Sequence, residues 1–77
     1  MKKIDLFYEI GMRIQYLRFL KKWTQEDLAF HSGVNTHYIC DMENGKRNPT
    51  IKVLNRVAIS LGVTLEDFFK GINGNIM

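Results

Sequence analysis

Punctuation constrains this chain more than any other feature. Four successive segments open on a side chain able to cap a helix and close on a glycine: Thr24 to Gly33, Asn35 or Thr36 to Asn44-Gly45, Thr50 to Gly62, and Thr64 to Gly71. A capping oxygen accepts a backbone N–H that the first helical turn leaves without a partner, and a glycine just past the last turn takes the left-handed conformation at little cost. The enclosed segments are short, roughly two to three turns each. Helices of that length do not persist singly in water, so they must bury their apolar sides against one another. Strand signals are weak: no run alternates apolar and polar residues for long, and no Asn-Gly step joins two β-branched runs.

Apolar spacing agrees with this division. Ile4, Phe7, Ile10, Ile14, Leu17 and Leu20 recur at steps of three and four, which predicts one long helix from about Asp5 to Lys21. Thr24 with Asp27 resembles a capping box, and Leu28 and Ala29 give the second helix its apolar edge. A third helix would bury Ile39 and Met42. A fourth would bury Ile51, Leu54, Val57, Ala58 and Leu61, beginning after the Asn48-Pro49 turn. The fifth holds Leu65, Phe68 and Phe69, and the tail from Ile72 should fray unless Ile72 and Ile76 dock. The expected fold is all-α, five helices in one domain over residues 1–77.

At 77 residues the chain has room for only a thin core. No stretch approaches the ~20 apolar residues of a membrane span, and residues 1–3 lead into an amphipathic helix without a signal-peptide core, so a cytoplasmic protein is expected. Cys40 has no intrachain disulfide partner, and one cysteine with two histidines is a poor supply of zinc ligands. Neither metal nor cofactor is expected. The net charge of +3 is modest but segregated. Arg13, Arg18, Lys21 and Lys22 form one block, and Lys46, Arg47, Lys52 and Arg56 another, with Glu26, Asp27, Asp41 and Glu43 between them. Two such blocks on either side of one surface would make a clamp for a polyanion; otherwise they are solvated helix faces.

The segment GVNTHYICDMENG, residues 33–45, spends its third helix on polar side chains. With the stretch before it, TQEDLAFHS, it makes a short helix, a glycine turn and a second short helix, which is helix-turn-helix grammar. Ala29 is small where the pair would cross, and Gly33 suits the tight turn. Leu28, Val34, Ile39 and Met42 lock the pair to the core, leaving Thr36, His37, Cys40 and Asp41 facing outward. A duplex major groove admits one such helix, N-terminal residues first.

TQEDLA, SGV, ENGKRNP and LGVTLEDFF occur in that order and spacing between Gly11 and Phe69. On these motifs the chain resembles the Xre/Cro family of bacterial and phage helix-turn-helix repressors, and it is similar in size to restriction-modification controller proteins. The resemblance implies a compact, lambda-repressor-like five-helix domain, with helices two and three as the helix-turn-helix. It implies a transcription regulator that binds a pseudo-palindromic operator in double-stranded DNA as a homodimer, and no enzyme. By position, Thr36, His37, Cys40 and Asp41 match base-contacting places, with Tyr38 a marginal addition. Gln25, Lys46 and Asn48 match phosphate contacts, and Arg47's place can also reach a base. Arg18 and Glu43 match a partly buried ion pair. Relatives often carry Gln, Arg or Ser in the recognition helix where this chain offers Thr, His, Cys and an acid. Asp41 would repel phosphates unless it accepts from a cytosine N4 or pairs with His37.

Other features have plainer readings. His37 has no constellation around it for zinc or catalysis, His31 suits a helix C-terminus, Cys40 is a small groove-facing side chain before it is a redox switch, and Trp23 is expected to pack. Tyr8, Met12, Tyr16 and Phe19 make a second stripe on the first helix. It either packs against the fifth helix and tail or forms a dimer interface shared with Phe68, Phe69, Ile72 or Ile76. An antitoxin-like module that masks a partner protein is the alternative function, with this stripe as its working surface.

Overall fold

The computed structural model describes residues 5–72, and Ile4 and Ile76 lie outside that range. Its helices are α1 (Leu6–Leu20), α2 (Gln25–Ser32), α3 (Thr36–Glu43), α4 (Ile51–Ser60) and α5 (Leu65–Lys70), with no strand among the described residues. The last four begin at the capping residues expected for them, and α1 begins where its apolar spacing placed it, after Asp5. Asp5 accepts from the Phe7 and Tyr8 amides, Asn35 rather than Thr36 caps α3, and Thr50 and Thr64 accept from the Val53 and Asp67 amides. Left-handed glycines end α2 at Gly33 (φ 74°) and follow α3 at Gly45 (φ 71°). Ser32 finishes the turn: its buried hydroxyl accepts from the Val34 amide at 3.2 Å.

The capping box on α2 is complete. Thr24 Oγ1 accepts from the Asp27 amide at 3.0 Å, and Asp27 Oδ2 accepts from the Thr24 amide at 2.8 Å. The bond from the Thr24 amide, followed by that to the Thr24 side chain, holds the Asp27 carboxyl below its ordinary range. A lowered folded-state value means the contribution is complete above the usual carboxylate range and disappears as pH falls through the lowered value. The difference in thermal midpoint between the native chain and Asp27→Asn should therefore narrow in acid. An equal difference at neutral and acid pH would show that the carboxylate's charge is irrelevant to the cap.

One core cluster joins all five helices. Ile10, Ile14 and Leu17 of α1 meet Leu28, Ile39, Met42, Leu54, Val57 and Phe68, with Val34, Ala58 and Leu61 filling in. Several expected core positions are not buried. Phe7 and Leu20 are exposed because only the middle turns of α1 have other helices across from them. Ile51, 66% exposed, is the first residue of α4 and lies at the edge of its stripe, while Val53 and Leu54 of the same turn pack against the core. Phe69 is exposed because a six-residue helix that buries Phe68 turns its neighbour outward. Ile72 packs against the core, and Trp23 does too, with its ring stacked on His31 at 4.2 Å.

The second α1 stripe is not packed away: Tyr8, Met12, Tyr16 and Phe19 are all exposed. Phe68, named as a possible sharer of that surface, is fully buried and unavailable to a partner.

Candidate nucleic-acid interface

Ile39 and Met42 fix α3 by its inner side. Its outer side presents Thr36, His37, Cys40 and Asp41, of which His37 stands furthest out, with its side chain 83% exposed. The helix sequence THYICDME contains no lysine or arginine. Asp41 is nevertheless accompanied by a histidine and an arginine. His37 Nε2 lies 3.6 Å from its Oδ2, the expected pairing one turn apart, and Arg47 Nη2 lies 3.4 Å from the same oxygen. Arg47 comes from the loop beyond α3, and its guanidinium rests 4.0 Å over the Tyr38 ring. Sequence spacing gave no sign of this stacking, since the loop has to turn back at Gly45 to bring the two together. Lys46 and Asn48 are exposed on the same loop.

The expected Arg18–Glu43 pair is present and forms the centre of a larger network. Arg18 Nε and Nη2 donate to the two Glu43 oxygens at 2.7 and 2.9 Å, and its Nη1 donates to the Trp23 carbonyl at 2.8 Å. The hydrogen bond to Glu43 keeps the guanidinium pKa raised despite burial. Gln25, expected at a phosphate, donates its Nε2 to Glu43 Oε1 at 3.0 Å. Its amide is thus tied inward, toward the end of α3. Gln15 Nε2 donates to the Glu43 carbonyl at 3.1 Å. The network joins α1, α2 and the C-terminal end of α3, so the angle of the outward face is set by part-buried polar bonds as well as by the core.

This arrangement revises the two-block clamp. Arg18 is committed to Glu43, and Arg13 donates to the Phe68 and Asp67 carbonyls at the end of α5, at 3.1 and 3.2 Å. Both arginines of the first block therefore have structural partners, and the cations beside α3 come from the second block. Among the described residues, no three His, Cys, Asp or Glu side chains are grouped to hold a metal ion, and no helix is long and apolar enough to cross a membrane.

Two short helices joined by a left-handed glycine, the second turned outward by a core on its other side, define a helix-turn-helix protein. The helix-turn-helix family model matches residues 14–68, and the chain belongs to that family, in its Xre-type branch of regulators. An uncharacterised HTH-type transcriptional regulator of Methanocaldococcus jannaschii is 40% identical over 57 residues, 74% of this chain and 86% of the relative. Control protein C.MunI of a Mycoplasma species is 32% identical over 69 residues, 88% and 93% of the two chains. Among solved structures, the restriction-modification controller protein C.Esp1396I, as a tetramer in complex with its natural 35 base-pair operator, superimposes with a TM-score of 0.78. It is 37% identical and the match covers 84% of this chain and 86% of that one.

Proposed function

We propose that this chain is a transcription regulator of the controller type, a single DNA-binding module that acts in the cytoplasm without catalysis. Two copies sit on a pseudo-palindromic operator, with α3 of each in the major groove and half-sites about one helical turn, ~34 Å, apart. The observation that supports this best is the polar face of α3, held outward by buried Ile39 and Met42 and joined there by Arg47. Thr36, His37, Cys40 and Arg47 are the base-reading set, with Asp41 contributing to it at 3.4 Å from the Arg47 guanidinium. Lys46, Asn48 and the N-terminus of α2 at Gln25 meet phosphates, Gln25 through its backbone amide and whatever donor capacity its bond to Glu43 leaves.

Selection of bound sequences from a random duplex pool tests DNA reading, two-fold symmetry and half-site spacing together. Recovery of one inverted-repeat motif is the expected result, and a pool that stays random sinks the proposal. Lys46→Ala should weaken binding to all sequences alike and reduce the slope of log affinity against log salt by about 1. An unchanged slope would remove Lys46 from the phosphate contacts. The masking alternative predicts a tight complex with a second protein and no stable self-dimer, so sedimentation of the isolated chain separates the two readings.

A further inference from the structure

We propose that Tyr38 and Asp41 are positioning residues for Arg47: they hold its guanidinium as a pre-oriented two-donor fork for the N7 and O6 atoms of a guanine. The inference rests on the reading that α3 occupies the major groove. Arg47 lies outside α3, on a loop, where a long flexible side chain would lose much rotamer freedom on binding. Here it is already confined. The guanidinium lies 4.0 Å over the Tyr38 ring, and the Asp41 carboxylate faces one end of it at 3.4 Å.

The platform is itself fixed. Tyr38 is half-buried against the core, its backbone amide donates to the Asn35 cap at 2.8 Å, and its hydroxyl accepts from the Thr50 amide at 3.4 Å. It therefore spans from the recognition helix to the cap of α4. The contact with Asp41 is long and uses only Nη2, which leaves the other guanidinium N–H groups without a protein acceptor among the described residues. A plane stacked on a ring with donors along its edge matches two coplanar acceptors, and in the major groove only guanine offers N7 and O6 together. Asp41 then acts through Arg47 and does not read a base itself.

The test is random-pool selection on the intact chain, followed by affinity measurements on the selected operator and on operators with single base changes. The native chain should prefer guanine at one position per half-site by roughly tenfold or more. Arg47→Lys and Tyr38→Leu should both lose most of that preference at the same position. Tyr38→Phe, which keeps the ring, should retain it. Asp41→Asn should bind random duplex more tightly, because a negative charge has left the surface, yet discriminate less at that one position. The double variant Tyr38→Leu/Arg47→Lys should be no worse than Arg47→Lys alone. Thermal midpoints and affinity for random duplex serve as controls for folding.

If Tyr38→Leu alters preference at a different position, Tyr38 reads a base directly and the proposal fails, as it does if the two losses simply add. A uniform loss on all sequences in Arg47→Lys would place Arg47 on a phosphate and overturn it equally. These results leave the wider DNA-binding function standing. A native chain that selects nothing overturns both.

Discussion

Glu43→Ala is expected to destabilise the protein by about 3–5 kcal/mol, the usual result of removing one partner from a buried ion pair. The Glu43 side chain is 2% exposed and that of Arg18 12%, so the arginine left behind cannot recover its hydration without opening the junction of α1, α2 and α3. Gln25 would lose its acceptor as well. Small domains are stable by about 5–15 kcal/mol in total, and a chain this short belongs near the lower end. A large share of the variant should be unfolded at moderate temperature, with its urea midpoint far below that of the native chain. Replacing both partners by leucine removes the uncompensated charge and should recover much of the loss, since well-packed apolar groups often substitute for a buried pair without penalty. If the double replacement cost as much as the two single losses added together, Arg18 and Glu43 would be acting independently, and the pair would not be the tie described above.

Gly11→Val is expected to destabilise the protein at the same junction, by a smaller amount. A Cβ at this position would fall 2.5 Å from the Met42 carbonyl oxygen and 2.6 Å from that of Glu43, with the Glu43 carbonyl carbon at 2.9 Å. These are backbone atoms at the end of α3, and no rotamer change relieves them. Valine gains back part of the helix propensity that glycine gives up, less than about 1 kcal/mol, while overpacking a tight contact costs about 1–3 kcal/mol or more. The steric term wins. Because α1 can only move away from α3, the molecules that do fold should hold α3 at a changed angle. Chemical denaturation should show the loss of stability, and amide shifts in folded Gly11→Val should move most along α3. A variant as stable as the native chain would mean that the helices are farther apart than this structure has them.

These two positions mark how far the sequence could be read. Local signals were sufficient for the elements: Thr24, Asn35, Thr50 and Thr64 each cap the helix they precede, because capping depends on a side chain and an amide two or three residues apart. Burial was harder. Phe7, Leu20 and Ile51 belong to apolar rows, but whether a row is covered depends on what folds opposite it. Gly11 reads in sequence as a defect in a helix, and its reason lies thirty-odd residues away at the carbonyls of Met42 and Glu43. The candidate site divides in the same way. Thr36, His37, Cys40 and Asp41 share a face by helical period alone, whereas the Arg47 stacking on Tyr38 and the inward bond of Gln25 require the fold to exist first.

The absence of any lysine or arginine from α3 bears on contrast. In a cell, an operator competes with an enormous excess of other duplex, and cations favour all of that excess alike. A helix that adds no positive charge adds nothing to this background, and Asp41 slightly opposes it. In the proposed complex, attraction to DNA in general is left to a few groups beside α3, and entry into the wrong groove desolvates the polar face of α3 without supplying it with base partners. The regulator would then owe its selectivity as much to weak binding elsewhere as to strong binding at its site.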